Sequence, residues 1–249
     1  MRIADLQKNW ETLGKTRPLC AILNDAAKQK SGWKLEEFFA TGVQEIEGVL
    51  NDAARLGLEL RRGRALDFGC GVGRLTQALA RHFDEVHGVD IASSMIERAR
   101  EHNRHGARCQ FHSNAKPDLS LFPDEFFDFI YSNITLQHIA PEYTRGYLRE
   151  FRRVLAPGGY CIFQLPAEFR PDPQLERSLK ERLKRALPPL YAAYRWLRYR
   201  HDPVTEMHAI PKEELTGYLQ AVGFRIADVT ENNAAGKLWL SYRYCVQKM

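Results

Sequence analysis

The chain has 249 residues, 44% hydrophobic and 27% charged, with a formal net charge of +5. That length supports one sizeable core with an added lobe, and the composition excludes a collagenous or intrinsically disordered chain. Residues 1–15 are polar and no run of ~18 apolar residues occurs, so neither a signal peptide nor a membrane span is expected, and the expected location is the cytoplasm.

Residues 35–60 carry apolar side chains at helical spacing (Phe38, Phe39, Val43, Ile46, Val49, Leu50), which predicts a helical cap ahead of everything else. Next come a short apolar strand at 64–68, a glycine-rich turn and a helix over 74–83, then a strand at 85–89, a helix over 93–102 and a strand at 107–112. A strand at 127–132, a helix over 141–155 opened by Pro141, and a strand at 160–165 follow. Strands alternating with helices predict a parallel sheet covered on both faces. The end differs: a helix over 211–222 stopped at Gly223, then strands at 224–229 and 238–246 joined by a turn, which puts one antiparallel strand into the sheet. The expectation is an α/β, seven-stranded, mostly parallel sheet with helices on both faces. Its predicted organisation is a helical cap at 1–60, a core at 61–166 and 211–249, and a helical insertion at 167–210 broken at Pro188-Pro189.

The turn Asp67-Phe68-Gly69-Cys70-Gly71-Val72-Gly73 joins a strand to a helix, where backbone N–H groups and the helix start can meet an anionic group. A dinucleotide fold wants a glycine at position 74, but Arg74 stands there, so the pyrophosphate fingerprint fails by one residue. Asp67, two residues before the first glycine, would repel a diphosphate and attract an ammonium. The five cysteines Cys20, Cys70, Cys109, Cys161 and Cys245 are scattered, with no CxxC spacing for zinc or redox work, and no metal is expected.

The run Leu66-Asp67-Phe68-Gly69-Cys70-Gly71-Val72-Gly73-Arg74-Leu75-Thr76 resembles motif I of the class I, Rossmann-like S-adenosylmethionine-dependent methyltransferases. Gly88-Val89-Asp90-Ile91-Ala92 resembles that family's second strand, whose carboxylate takes both ribose hydroxyls. Asn114 falls where the family usually has an acid that meets the adenine amino group; an amide carbonyl also accepts that bond. Residues 127–139 resemble the fourth strand and the loop beside the sulfonium, and Arg153-Val154-Leu155-Ala156-Pro157-Gly158-Gly159 the turn that closes the core. The resemblance implies a cofactor site built from Asp67, Gly69, Cys70, Gly71, Gly73, Arg74, Asp90, Ile91, Met95, Asn114, Ala115 and Ser132. It also implies a Rossmann-like methyltransferase fold, with S-adenosylmethionine as methyl donor and S-adenosylhomocysteine as product.

Methyl transfer from a sulfonium needs a positioned acceptor more than a dedicated catalytic group. If the acceptor is a hydroxyl or a protonated amine a base is required, and His138, on the loop after the fourth strand, is the candidate; its alternative role is to orient the acceptor. Phe39, Asn133, Glu206 and His208 are candidates for the acceptor's surroundings, with Glu206 and His208 as rival bases. The insertion gathers Arg170, Arg177, Lys180, Arg182, Lys184, Arg185, Arg195, Arg198 and Arg200. Three readings stay open for it: a solvated lid face, a peripheral membrane contact reaching a lipid-like or isoprenoid acceptor, or attraction of an anionic acceptor. Nucleic acid is not expected, since no recognised binding module accompanies the core. A small-molecule acceptor fits best, its O, N or C atom open, and a cofactor-binding protein without transferase activity is the alternative of a different class.

Overall fold

The computed structural model describes residues 2–23, 28–171, 189, 203 and 205–249. Its elements are α1 (Ile3–Thr16), α2 (Pro18–Ile22), α3 (Lys28–Ser31), α4 (Leu35–Arg55), β1 (Arg64–Phe68), α5 (Arg74–Leu79), β2 (Glu85–Asp90) and α6 (Ser93–Glu101). There follow β3 (Cys109–Ser113), β4 (Phe127–Ser132), α7 (Pro141–Val154), β5 (Leu155–Phe169), α8 (Lys212–Ala221), β6 (Phe224–Asn232) and β7 (Trp239–Lys248). The seven strands form one sheet in the order β3-β2-β1-β4-β5-β7-β6. β7 is antiparallel to both neighbours and the other pairs are parallel, as the alternation and the final hairpin predict.

Apolar layers cover both faces of the sheet. On one, Tyr147, Leu148 and Phe151 of α7 and Leu215 and Leu219 of α8 pack on Leu66, Ile130 and Phe163. α7 earns this face by sequence: Pro141 opens it, and Thr144, Tyr147, Leu148 and Phe151 recur at the three-and-four spacing of a buried stripe. Truncating Phe151, wholly buried, to alanine should cost about 3–5 kcal/mol. On the other face, Ile46, Val49 and Leu50 of α4 and Leu75 and Leu79 of α5 pack on Ala65, Val86 and Phe129.

Several bounds differ from the sequence expectation, among them the end of α5 at Leu79 rather than 83. The helix of the cap ends at Arg55, not at 60, because Gly57 takes φ +69° and turns the chain. β5 runs from Leu155 to Phe169, since pairing with β7 continues to Phe169, so the strand enters what was expected to be insertion. Residues 3–16 form α1, a helix inside the expected helical cap for which the sequence reading gave no bounds. The expected amphipathic helices of the insertion lie outside the described residues. Among those described, no helix is long and apolar enough to cross a membrane.

Candidate functional site

The switch point between β1 and β4, where the strand order reverses, is the place an open α/β sheet offers a ligand. There the chain turns through Gly69, Gly71 and Gly73, all at positive φ (78°, 52° and 83°). A side chain at Gly69 would collide with Thr135, and one at Gly71 with Ile22 of α2. Both glycines border a cavity of about 1030 Å³, large enough for a nucleoside and a second small molecule. Four N–H groups of the turn, expected to face an anionic group, are bonded within the protein. Gly69 and Cys70 donate their N–H groups to Val89 O (2.8 and 3.0 Å), Gly73 donates to Cys70 O (2.9 Å) and Gly71 to the Asp90 carboxylate (2.9 Å).

Asp90 thereby stands at the end of β2 with both oxygens anchored: Oδ2 accepts from Gly71 N and Oδ1 from Ala92 N, each at 2.9 Å. Burial raises its pKa, against the pull of those N–H groups. Each oxygen keeps a further lone pair, and Asp90 borders the cavity beside Ile91, Met95, Cys70 and Asn114. The donor set and the apolar shelf of Ile91 and Met95 therefore fit a flat base joined to a vicinal diol. Arg74 also borders the cavity, almost wholly buried, with its guanidinium on Glu45 (2.8 Å) and Thr41 (3.2 Å) of α4. Glu45 in turn accepts from Tyr131 Oη (3.0 Å) and Asn133 Nδ2 (2.7 Å), which ties the cap to the loop after β4.

That loop carries Ile134 at φ +51°, a left-handed conformation costly for a β-branched residue, held in part by its N–H on Gln164 Oε1 (3.2 Å). His138 follows in a short 3₁₀ turn, borders the cavity and meets Trp10 of α1 edge-on, ring centroids 5.4 Å apart. Its Nδ1 lies 2.8 Å from the carbonyl of Glu206. A carbonyl only accepts, so Nδ1 carries the proton and Nε2 keeps the lone pair. Burial lowers the pKa of His138, which keeps the ring neutral and able to receive a proton. The rest of the far wall is Leu6 and Leu13 of α1, Ile139, Tyr147, Thr205, Met207 and the turn at Ala234–Gly236 between β6 and β7.

Residues 65–159 match the family model described as a methyltransferase domain. That match sits within the fold of the class I methyltransferases. Carboxy-S-adenosyl-L-methionine synthase of Stutzerimonas stutzeri is 33% identical over 135 residues, covering 49% of this chain and 54% of that protein. The chain thus spans about half the length of the first curated relatives it matches. Ubiquinone biosynthesis O-methyltransferase of Coxiella burnetii is 27% identical over 176 residues, covering 70% of this chain and 68% of that one. The fold is shared with magnesium protoporphyrin IX methyltransferase from Synechocystis, solved with bound SAH: TM-score 0.62 at 18% identity, over 98% of each chain.

Of the residues expected at the methyltransferase domain's cofactor site, Gly69, Cys70, Gly71, Arg74, Asp90, Ile91, Met95 and Asn114 border the cavity, and so do Asn133 and His138. The others do not. Asp67 is wholly buried in the sheet, its Oδ2 accepting from Thr76 Oγ1 at 2.6 Å, so it offers no ammonium site; burial pushes its pKa up to about 7. Gly73 opens α5 against Phe111, Ser132 is wholly buried with its hydroxyl on Phe68 O (3.0 Å), and Ala115 faces solvent. Asn114 spends its amide locally, donating to Asp118 O (2.6 Å) and accepting from Lys116 N (3.1 Å), so it holds a turn beside the cavity. Phe39 packs edge-on against Phe38 and His102 (5.7 and 6.1 Å). The side chains of Glu206 and His208 lie 3.2 Å from each other and outside the cavity lining, while the carbonyl of Glu206 reaches His138. Among the described residues, no group of three or more His, Cys, Asp or Glu is placed to hold a metal ion.

Proposed function

We propose that the protein is an S-adenosylmethionine-dependent methyltransferase acting on a small-molecule acceptor. The observation that carries this reading is Asp90, its two oxygens fixed by backbone N–H groups and turned to a cavity beside Ile91 and Met95. S-adenosylmethionine, when bound, supplies a methyl group already activated on a positively charged sulfur. Gly69 and Gly71 let a ligand lie against the backbone; Asp90 takes the ribose hydroxyls, and Ile91 and Met95 sandwich the base. Asn133, Thr135 and His138 from the loop after β4 hold the acceptor, and His138 Nε2 takes its proton. Leu6, Trp10 and Leu13 roof the cavity and exclude water, which strengthens each polar contact inside. The names of the relatives, an O-methyltransferase of ubiquinone biosynthesis among them, support a small acceptor. Another relative is a synthase that forms a modified S-adenosylmethionine, so the transfer itself needs a test.

The test is incubation with methyl-labelled S-adenosylmethionine and a metabolite panel. Label in an acceptor together with released S-adenosylhomocysteine supports the reading. Tight binding of the cofactor with no release across the panel would point to a binding module.

A further inference from the structure

Gln137, next to the base, had no role in the sequence reading. It is 6% exposed and borders the cavity. Its amide Nε2 lies 3.2 Å from His138 Nε2. Because the carbonyl of Glu206 fixes the proton on Nδ1, His138 presents a lone pair at Nε2, and only the NH₂ side of the amide can face it. The amide oxygen then points elsewhere, and Oε1 is buried without a hydrogen-bond partner. Buried polar atoms in folded proteins are normally paired, so an orphan beside a base marks a group whose partner arrives later. The backbone around it is held: Gln137 O accepts from His208 N at 2.7 Å, so residues 206–208 grip both members of the pair, one by its ring and one by its main chain.

We propose that Gln137 is a positioning residue that covers the Nε2 lone pair of His138 and yields it to an acceptor bearing an O–H or N–H group. This rests on the methyltransferase reading above and narrows its acceptor to a protic heteroatom. A group with a hydrogen to donate replaces the amide at Nε2, and the displaced amide turns its oxygen to a donor. The acceptor's proton passes to Nε2, its lone pair forms the new bond to the methyl carbon, and the carbon–sulfur pair leaves with the sulfur. The imidazolium then returns its proton to solvent. A thioether, or a carbon acceptor without an O–H or N–H group, brings no such hydrogen and leaves the amide in place.

The experiment is nitrogen NMR of the full chain with ¹⁵N-labelled imidazoles, His138 being assigned by the loss of its signals in His138→Gln. Wild type should show protonated Nδ1 and a bare Nε2 whose resonance reports a hydrogen bond. In Gln137→Leu the Nε2 resonance should move to the position of an unbonded lone pair, with Nδ1 unchanged. Glu206→Ala, which keeps the carbonyl, should leave both nitrogens where they are. A proton on Nε2 in wild type, or an Nε2 signal unmoved by Gln137→Leu, overturns the proposal even if the protein transfers methyl groups. Conversely, the expected spectra in a protein that never releases S-adenosylhomocysteine would keep the covered lone pair and sink the methyltransferase reading. Once an acceptor is found, methylation at oxygen or nitrogen supports the proposal, and methylation at carbon overturns its second half.

Discussion

Thr76 donates its hydroxyl hydrogen to Asp67 Oδ2 at 2.6 Å, and both side chains are wholly buried at the junction of β1 and α5. The second carboxylate oxygen has no partner, and desolvation outweighs the hydroxyl, raising the pKa to about 7. The folded state therefore holds this proton more tightly than the unfolded chain does. The resulting stability is fully present below the unfolded carboxylate's range near pH 4 and is lost as the pH rises through 7. Asp67→Asn, neutral at every pH, should remove that loss: at pH 8 it should melt a few degrees above wild type, each ~1 kcal/mol being worth ~2–4 °C in a chain of this size. Thermal melts from pH 4 to pH 8 check it.

A histidine pair, His87 buried and His112 half-buried, acts in the opposite direction. His87 Nδ1 and His112 Nε2 share a hydrogen bond at 3.0 Å, stacked and enclosed by Phe122, with Phe126 and Phe127 around His87. Burial lowers the pKa of His112 to about 4. The unfolded chain takes this proton first, so the pair's contribution is complete above pH ~6.5 and is lost as the pH falls toward 4. His112→Gln, which keeps a polar group but does not titrate, should lose less stability than wild type between pH 6.5 and 4.5. Urea unfolding at the two pH values measures the difference.

Asp90→Ala should weaken S-adenosylhomocysteine binding by at least ~10-fold, since hydrogen bonds to a charged group contribute about 1.5–3 kcal/mol. Calorimetric titration reads this directly. Affinity equal to wild type would remove the cofactor assignment of this carboxylate.

Gly14 lies where α1 crosses the start of α6, and a methyl group there would collide with Ser94 Oγ and press on Met95 N at 3.2 Å. The same crossing is held by Glu11, which accepts from Ser94 N at 3.1 Å, and by Arg98, which donates to Gly14 O at 2.8 Å. Gly14→Val should lift α1 from α6 at a cost of about 1–3 kcal/mol. The expected signs are earlier proteolytic cleavage in residues 2–23 and weaker cofactor binding, read by gel and by calorimetry.

How much of this was legible follows from the distance over which each signal acts. β1, the glycine turn and α5 are local: an apolar run, three glycines and a helical stripe fall within residues 64–79, and the structure keeps them. α1 falls inside the expected helical cap but its bounds were not given, although Leu6, Trp10 and Leu13 mark one helical face, because polar and charged residues dominate the segment between them. Glu45 was invisible for another reason. Its value lies in Arg74, Tyr131 and Asn133, and no spacing within α4 announces partners that only the fold brings near. The same holds for His138, whose protonation state depends on a main-chain carbonyl at position 206 that any amino acid could supply. Asp67 shows the converse error. Its place before the glycines suggested a ligand, but alternation along β1 turns it into the layer beneath α5.

Leu6 and Trp10 on one side and Ala234 to Gly236 on the other border the same cavity as Gly69 and Asp90. A ribosome adding ~5–20 residues per second delivers the floor of that cavity well before its last wall. The wall is seated only when β7 pairs with β5. A cofactor in the surrounding solution therefore meets no finished pocket on a growing chain. Ligand binding draws the equilibrium toward the completed fold alone, acting as a seal on the final strand rather than as a template for the first ones.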